Sequence, residues 1–453
     1  MNKNILQSIL YDKVQWLKYQ KNMQKLQHIK KKIVISNRNF YQSLKSSFPN
    51  FILEIKESSP SKGIINSNLN IKNILQCYKK HATVISVLTD KKYFSGTFER
   101  MSEVSMLVKQ PILCKDFFID PYQIYLARYY HADAILLMLS VLNDDQYKLL
   151  ASIAHKMNMG ILTEINNLIE LKRAIHLNAK IIGINNRNLN NLTIDINTTY
   201  KLAPLIPKDR IIISESGIYN NQQIKKLKKI VHGFLIGSSI MKSKNVHLKV
   251  NSILFGNNKI CGLTRIKDAN RSKKLGAVYG GLIFIPNSKR NIPCNTACNI
   301  IQNTKLKYIG VFQNENIEKI KYLSQACSLY AIQLHGNEDQ EYIANLRKKI
   351  SDHIQIWKAI CIENNQEKLN FKYINYYLFD NFKGGSGICF DWKKTKTYNL
   401  DKVFLSGGLS HKNCIEASNL NCFGLDFNSK IEKKPGIKDY DKLKLVFKKL
   451  KLS

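Results

Sequence analysis

Short apolar segments alternate with longer helical patterns along most of this chain, and the whole series occurs twice. The segments are largely continuous runs of valine, isoleucine and leucine, which is typical of parallel strands covered by helices on both faces. Eight such strands favour a closed (β/α)8 barrel over an open doubly wound sheet. The first eight segments are 51–55, 83–88, 112–114, 134–139, 160–162, 181–184, 211–214 and 233–236.

A short break at 251–258, which contains a glycine and asparagines, separates these segments from a second series of eight. The chain has 453 residues, which is enough for two barrels. We therefore predict an α/β protein of two consecutive (β/α)8 TIM barrels, 1–255 and 256–453. The second eight segments are 259–261, 281–285, 308–312, 330–334, 354–359, 376–379, 402–405 and 423–425.

The segment in front of the first strand, residues 1–47, has a helical pattern. Its apolar residues recur at the spacing of one helix face, which predicts an amphipathic N-terminal helical extension of the first barrel. These residues are Ile5, Ile9, Leu10, Val14 and Leu17.

The net charge of +37 has two interpretations. One is nucleic-acid binding, because polyphosphates attract basic surfaces. The other is a compositional bias of an AT-rich genome, since lysine outnumbers arginine and asparagine and isoleucine are abundant throughout. The lysines are spread along the chain, and no RNP-like aromatic motif or helix-turn-helix is evident. We therefore expect no nucleic-acid partner.

The ten cysteines form no C-x-x-C pair, and no histidine spacing fits a zinc finger. Their scatter suits reduced thiols in a cytosol. The chain has no run of 18 apolar residues, and residues 1–32 have no apolar segment of a secretory signal. We expect a cytoplasmic protein with no membrane partner and no metal.

Polar side chains end five of the first eight strands, and active sites of such barrels lie at the carboxyl ends of strands. Glu54 and Lys56 lie two residues apart, so they point to the same face. Separate surface ion pairs are the alternative for any one strand end. The set as a whole predicts a functional site at one mouth. It comprises Glu54, Lys56, Lys115, Glu164, Asn185 and Glu215.

Glycines and serines follow the late strands of both barrels, where phosphate sites of this fold usually lie. Backbone N–H groups in such loops bind anions, although ordinary turn glycines are the alternative. The candidates are Ser216, Gly217, Gly237 and Ser238 in the first barrel, and Gly385, Ser386, Gly407, Gly408 and Ser429 in the second.

The second barrel has a different chemical set at its strand ends. Cys261 ends the first strand and Asp380 ends the sixth, and a thiolate facing a carboxylic acid can act as base and acid. A cysteine in an apolar run is more commonly part of the core. Arg290 and His335 follow the second and fourth strands and are suited to hold an acidic or polar substrate group.

Longer motifs carry a resemblance to two known families. Residues 48–255 resemble indole-3-glycerol-phosphate synthase, through FILEIK…SPSKG, ISVLTD, PILCKDF, GINNR and ISESGI. Residues 256–453 resemble phosphoribosylanthranilate isomerase, through KICGLT, QLHG, GGSG and GLDFNS…PGIKD. The order of the two matches the fused bacterial enzyme of tryptophan synthesis.

The resemblance implies two consecutive reactions. The second barrel would convert N-(5'-phosphoribosyl)anthranilate to 1-(2-carboxyphenylamino)-1-deoxyribulose 5-phosphate by an Amadori rearrangement. Asp380 would be the general acid and Cys261 the general base, with Arg290 on the anthranilate side and His335 binding substrate. The first barrel would then close the indole ring with loss of carbon dioxide and water.

For the ring closure, the resemblance implies that Lys115 is the general acid and that Glu164 assists the dehydration. Lys56 would pair with a substrate anion and share in proton transfer. The remaining residues would hold the substrate and tune the lysines; they are Glu54, Ser59, Asn185, Glu215 and Ser216.

No motif requires a metal, nucleotide or redox cofactor, so we expect none. The expected partners are phosphorylated small molecules, and the expected state is a monomer, because fusion already joins two barrels. An alternative is that one barrel is catalytically idle, as a drifted composition would allow. The presence of both acid–base sets argues against it.

Overall fold

The computed structural model describes residues 5–46, 48–60, 63–65, 70–362, 369–381 and 389–452. It contains two closed barrels, each of eight parallel strands, and confirms the prediction of two consecutive (β/α)8 barrels. The chain divides into two compact units, Met1–Tyr219 with Gln223–His247 and Asn220–Gln222 with Leu248–Ser453. No helix in the described ranges has both the length and the apolar character needed to cross a membrane.

In the first barrel each strand pairs with its neighbour in the chain, and the first strand closes the ring by pairing with the last. A two-stranded hairpin of β2 and β3 follows the first strand. The strands are β1 (Asn50–Ile55), β2 (Ser58–Ser59), β3 (Gly63–Ile64), β4 (Val84–Leu88), β5 (Ile112–Lys115), β6 (Ala134–Met138), β7 (Gly160–Ile165), β8 (Ile181–Asn185), β9 (Ile211–Glu215) and β10 (Gly233–Ile236).

The second barrel repeats this order and ends in a small hairpin, β19 with β20. Its strands are β11 (Lys259–Ile260), β12 (Tyr279–Ile283), β13 (Lys307–Phe312), β14 (Ala331–Leu334), β15 (Gln355–Cys361), β16 (Tyr376–Asp380), β17 (Val403–Leu405), β18 (Gly424–Phe427), β19 (Glu432–Lys434) and β20 (Ile437–Lys438).

Helices alternate with the strands and cover the barrels. Short 3-10 turns occupy Ala203–Leu205, Trp392–Thr397, Leu400–Lys402 and Ser429–Ile431. The α-helices are α1 (Ile5–Met23), α2 (Leu26–Lys32), α3 (Phe40–Lys45), α4 (Ile71–His81), α5 (Lys91–Phe94), α6 (Phe98–Leu107), α7 (Pro121–Tyr129), α8 (Asp144–Lys156), α9 (Leu168–His176), α10 (Asn197–Leu202), α11 (Asn221–Leu227), α12 (Ser238–Met241), α13 (Val246–Phe255), α14 (Ile266–Leu275), α15 (Cys294–Asn303), α16 (Ile317–Ala326), α17 (Gln340–Lys349), α18 (Cys414–Asn419) and α19 (Tyr440–Leu452).

The N-terminal extension is helical, but it consists of three helices, and the predicted apolar face of the first is partly wrong. The buried residues of α1 are Leu6, Ile9, Lys13 and Leu17. Val14, which we expected on this face, is 41% exposed. The buried row is a normal helical stripe, but a lysine occupies one of its positions. A prediction from apolar residues alone therefore places the buried face of α1 slightly off its observed position.

The interior of the second barrel is filled by aromatic side chains. The ring of Trp357 stacks on Phe404 with centroids 4.5 Å apart, and Tyr279 meets both rings edge-on. Barrel interiors of this fold are packed layers of side chains rather than pores. The aromatic layer thus fills the second barrel below the carboxyl ends of its strands.

Candidate active sites

A lysine surrounded by carboxylates lies at the mouth of the first barrel. The Nζ atom of Lys115 is 3.6 Å from a carboxylate oxygen of Glu215, and 3.9 Å from one of Glu54 and one of Glu164. Lys56 forms an ion pair with Glu54. The four strands that carry these residues end at one rim of the barrel. The structure therefore brings the predicted charged set together.

Two glycines, one in β8 and one directly after β10, make room for carboxylates of the adjacent strands. A Cβ atom at Gly183 would collide with Oε1 of Glu215, and a Cβ atom at Gly237 would collide with Oε1 of Glu54. Only a residue without a side chain leaves space for a carboxylate at these strand ends. Gly237, which we predicted as a phosphate ligand, thus also has a packing role.

Burial shifts the protonation of this cluster. The pKa of Glu215 is raised to about 8 by burial and by Glu164 and Glu54, against the lowering effect of Lys115. Burial lowers the pKa of Lys115. The charges of Glu215, Glu164 and Glu54 raise it by more than burial lowers it, so the net shift is upward. Lys115 is therefore a proton-bearing cation at neutral pH. Three buried carboxylate oxygens, Oε1 of Glu164 and both of Glu215, accept no hydrogen bond from the described residues.

Glu54 shifts in the opposite direction. Burial raises its pKa, but Lys56, Lys115 and Arg187 lower it more, so the net pKa lies below the ordinary value. One rim thus holds an ionised Glu54 and a protonated Glu215. Environments that separate the pKa values of two similar groups are typical of acid–base sites.

A cavity of about 120 Å³ lies over this cluster, and it collects the other predicted residues of the first barrel. Ser216 and Gly217 have left-handed backbone conformations, with φ values of 63° and 80°. Asn185 is buried, and its Oδ1 accepts a hydrogen bond from the backbone N–H of Arg187. The predicted residues that line the cavity are Glu54, Lys56, Ser59, Lys115, Glu164, Asn185, Glu215, Ser216, Gly217, Gly237 and Ser238.

The second barrel has a larger cavity, of about 1150 Å³, at its strand ends. Cys261 directly follows β11, and a Cβ atom at Gly281 on the next strand would lie 2.6 Å from its sulfur. The missing side chain lets the thiol sit against the barrel wall. The predicted residues that line this cavity are Cys261, Arg290, His335, Asp380, Gly407, Gly408 and Ser429. Gly385 and Ser386 lie outside the described residues.

Burial raises the pKa of both candidate proton-transfer groups of this cavity above its ordinary value. Burial raises the pKa of Asp380, whose Oδ1 accepts a hydrogen bond from the backbone N–H of Asn381. Burial also raises the pKa of the Cys261 thiol, and the nearby ammonium of Lys259 opposes this shift. Lys259 is fully buried and its Nζ lies 2.7 Å from Oδ2 of Asp426. A fixed positive charge therefore lies beside the thiol.

His335 is neutral at physiological pH. Burial, followed by the charge of Lys259, lowers its pKa to about 4. Nε2 of Gln333 lies 3.0 Å from Nδ1 of His335, and Nε2 of His335 lies 3.8 Å from Oδ2 of Asp380. Gln333 donates to Nδ1, so the ring proton lies on Nε2, which is directed towards Asp380. The imidazole is thus a hydrogen-bond donor.

Arg290 is held in place by a carboxylate. Its Nη2 donates to Oε2 of Glu432 at 2.7 Å and its Nε donates to the same atom at 3.0 Å. Lys438 approaches Oε1 of Glu432 at 2.7 Å. A guanidinium fixed in this way presents a planar, pre-oriented edge to a ligand.

Comparison with known sequences decides the family. The sequence model described as indole-3-glycerol phosphate synthase matches residues 6–253. The one described as N-(5'phosphoribosyl)anthranilate (PRA) isomerase matches residues 258–449. The chain belongs to the bifunctional synthase–isomerase family. It carries out two consecutive steps of tryptophan biosynthesis, with the synthase half first and the isomerase half second in the chain.

Full-length relatives have the same arrangement. The tryptophan biosynthesis protein TrpCF of Buchnera aphidicola subsp. Schizaphis graminum is 56% identical and covers 99% of this chain and 100% of its own length. The protein of the same name from the Baizongia pistaciae subspecies is 57% identical over 97% of this chain and 94% of its own. That from Yersinia pestis is 48% identical over 99% and 95%.

The sequence analysis missed the apolar wall of the synthase site. Ile5, Leu6 and Ile9 of α1 line the cavity, together with Phe94 and Phe117. Their only signal in the sequence was the helical pattern of the extension, which gave no indication of what the helix covers. An apolar wall facing a charged rim suits a substrate with one aromatic and one ionic end.

A buried ion cluster was also missed in the synthase half. Nζ of Lys13 lies 2.7 Å from Oδ2 of Asp90 and 2.7 Å from Oδ1 of Asp116. Thr89 donates a hydrogen bond to the other oxygen of Asp116. Asp116 directly follows Lys115, so this cluster connects α1 to the strand end that carries the central lysine.

Proposed function

We propose that the isomerase half opens the ribose ring and moves one proton with Asp380 and Cys261. Asp380, whose pKa is raised, would protonate the ring oxygen as the C1'–oxygen bond breaks and an iminium forms. The Cys261 thiolate would then remove the C2' proton, and the resulting enol would rearrange to the ketone. One proton is given and one is taken, so the reaction is balanced and no cofactor enters it.

Burial raises the pKa of the Cys261 thiol overall, and the cation beside it is the group that supports its role as the base. The Lys259 ammonium favours the thiolate, which is the form that accepts a proton. Arg290, held by Glu432, is oriented to bind the anthranilate carboxylate, and His335 would donate a hydrogen bond to the sugar. Gly407, Gly408 and Ser429, at the late strands of the same cavity, would hold the phosphate.

In the synthase half, we assign Lys115 as the general acid. The single observation that carries this assignment is the position of its Nζ within 4 Å of the acidic side chains of Glu54, Glu164 and Glu215, which raise the pKa of its ammonium. It would give its proton to the ketone oxygen as the ring carbon attacks. Loss of carbon dioxide then restores aromaticity in part, and Glu164 would assist the loss of water.

The remaining rim groups would bind the two anionic ends of the substrate. Lys56 would pair with the substrate carboxylate in place of Glu54, and Ser216, Gly217 and Ser238 would hold the phosphate. The part of the substrate between its carboxylate and its phosphate would be positioned by Asn185, Ser59 and Glu215. The apolar wall of α1 and Phe117 would receive the anthranilate ring.

We extend the proposal to the whole chain. The synthase half would comprise residues 1–255 and the isomerase half 256–453, close to the ranges that the two family models match. The chain would act as a cytosolic monomer on phosphorylated small molecules, without metal or organic cofactor in either reaction.

A fluorescence assay with fresh phosphoribosylanthranilate tests these roles. The parent chain should produce indole-3-glycerol phosphate. Cys261→Ala should leave the substrate unconsumed, and Lys115→Ala should accumulate the carboxyphenylamino-deoxyribulose phosphate. Because an acid–base group contributes about 10²- to 10⁴-fold, each variant should lose at least about 100-fold in its own step. Indole product from Lys115→Ala at the parent rate would overturn the assignment of Lys115, and consumption by Cys261→Ala would overturn that of Cys261.

A further inference from the structure

Three cysteines of the isomerase half form a cluster, which we call the thiol cluster. The Sγ atoms of Cys298 and Cys327 are 3.1 Å apart, those of Cys294 and Cys327 are 3.6 Å apart, and those of Cys294 and Cys298 are 3.9 Å apart. Among the residues that the structure describes, these three form a group of potential metal ligands within 4.8 Å of one another.

Two helices supply the cluster. Cys294 and Cys298 lie one turn apart on α15, so their side chains share a helix face. Cys327 directly follows α16, as its C-cap residue. Because the chain returns along a barrel strand between these helices, the sequence spacing hides the proximity. None of the three lines the cavity that contains Cys261, so the thiol cluster is separate from the isomerase site.

The sulfur triangle has the size of a metal–thiolate face. Zinc–sulfur bonds of about 2.3 Å in tetrahedral geometry give sulfur–sulfur edges of about 3.8 Å. Two of the three observed distances are within 0.2 Å of that edge, and the third requires a side-chain adjustment of well under 1 Å. Cys294 begins a ten-residue helix, where the helix dipole favours a thiolate.

Apart from one another, the three sulfur atoms have weak hydrogen-bond partners among the residues that the structure describes. Cys298 lies 3.4 Å from the carbonyl oxygen of Ala326, and Cys327 lies 3.7 Å from that of Cys294. Thiols bind metals as thiolates, so binding a cation would release protons from the cluster.

We propose that Cys294, Cys298 and Cys327 bind one thiophilic metal ion with a filled d shell, of the Zn²⁺ or Cu⁺ class, outside the cavity of the isomerase half. Three thiolates fit Cu⁺ in a trigonal arrangement, or Zn²⁺ with water as fourth ligand. The three S–H protons leave as the three metal–sulfur bonds form, and no electron transfer is involved. The ion joins α15 to α16 on the outside of the isomerase barrel. This site departs from the sequence-based expectation that the chain has no metal site.

The test is a cadmium titration of the reduced full-length chain. Cd²⁺ bound to thiolates gives a ligand-to-metal charge-transfer band in the near ultraviolet. We expect the band to saturate at one equivalent in the parent and to be lost in Cys298→Ser and in Cys294→Ser. Serine is nearly isosteric, and the far-ultraviolet circular dichroism of both variants should match that of the parent.

Two further variants locate the signal. Cys261→Ala should keep the full band, which distinguishes the thiol cluster from the catalytic thiol with its neighbouring carboxylates. Cys389→Ser removes an exposed cysteine outside the cluster and should also keep it. A band that survives in both Cys294→Ser and Cys298→Ser, or that disappears in Cys261→Ala, would overturn the proposal.

Competition and thermal unfolding identify the class of ion. Zn²⁺ or Cu⁺ should displace Cd²⁺ and raise the melting temperature of the parent by several degrees but leave that of Cys298→Ser unchanged. Displacement by neither ion would rule out the site. A Cys298–Cys327 disulfide that persists in the purified chain under thiol reductant would also contradict it, since those sulfurs could then not bind a metal.

Discussion

At the scale of single residues, both candidate sites place ionisable groups in contact where the protein largely excludes water. Lys115 is surrounded by Glu54, Glu164 and Glu215, and Cys261 has Lys259 beside it. Such groups interact strongly because water does not screen them. Their protonation states are therefore properties of the cluster, and changing one group changes its neighbours.

Glu215 gives a pH-dependent prediction. Its pKa is about 8 in the folded chain and near the ordinary 4.5 in the unfolded chain. The free energy of unfolding therefore decreases as the pH rises from 4.5 to about 8. Glu215→Gln imitates the protonated form and removes this loss. At one pKa unit per 1.36 kcal/mol, the variant should be more stable than the parent by roughly 2–5 kcal/mol at pH 8.5, and about equal at pH 4.5.

Urea unfolding of the synthase half at several pH values measures this difference. Glu103→Gln changes an exposed glutamate on α6 and should follow the parent at every pH. A stability difference between Glu215→Gln and the parent that is constant from pH 4.5 to 8.5 would contradict the raised pKa.

The buried pair of Lys259 and Asp426 gives a second prediction. Lys259→Met leaves the Asp426 carboxylate buried without its partner, which should lower the free energy of unfolding of the isomerase half by about 3–5 kcal/mol. The double variant Lys259→Met/Asp426→Leu should recover most of that loss, because no buried charge remains. A double-mutant cycle from urea unfolding measures the coupling, and additive losses would show that the two residues are not energetically paired.

At the scale of elements, the helix α1 does more than precede the barrel. It supplies three apolar residues to the synthase cavity and, through Lys13, contacts Asp116 beside the central lysine. Because α1 contributes both apolar residues that line the cavity and an ion pair beside Lys115, we treat it as part of the candidate site. Its position should therefore affect catalysis as well as stability.

Substitution of Lys13 tests this role. Lys13→Met leaves two buried aspartates without their cation, so we expect a loss of about 3–5 kcal/mol in the stability of the synthase half and at least a tenfold lower synthase kcat/KM. Isomerase activity in the same chain should be unchanged and serves as an internal control. Lys18→Met, on the exposed side of α1, is the matched control. Equal synthase activity in Lys13→Met and Lys18→Met would refute the role.

The barrels could be predicted from the sequence because continuous apolar runs between helices are compatible with few structures other than parallel strands covered on both faces. The charged strand ends were also predictable, since parallel strands place their carboxyl ends on one rim. Lys13 was not, because its partners Asp90 and Asp116 are distant in the sequence and a lysine normally marks an exposed face. The second strand of the second barrel begins two residues earlier than predicted, at Tyr279, because that aromatic ring packs inside the barrel on Trp357.

At the scale of the whole molecule, the net charge of +37 suits a chain whose substrates are all anions. Positive potential raises the rate at which anions reach a site, and salt screens it, with a Debye length of about 30 Å at 0.01 M and about 8 Å at 0.15 M. We therefore expect chloride salts to lower kcat/KM of both steps by about 3- to 10-fold over this range, with kcat unchanged.

Steady-state kinetics of each step at several chloride concentrations measures this effect. Phosphate buffers are avoided, since phosphate competes for the substrate sites. Replacing potassium by a bulky organic cation should leave the dependence unchanged, because the anion provides the screening of a basic surface. A kcat/KM that is independent of ionic strength would show that the charge has no role in association.

The ion pair between Lys56 and Glu54 also bears on how the synthase half releases its product. Its substrate arrives with a carboxylate and a phosphate, whereas its product keeps only the phosphate. In the role that we propose for Lys56, the loss of carbon dioxide removes the carboxylate that it holds, and Lys56 can pair again with Glu54. The reaction thus removes one of the ligand's own attachments, so the product should bind more weakly than the substrate and should be a poor inhibitor as it accumulates.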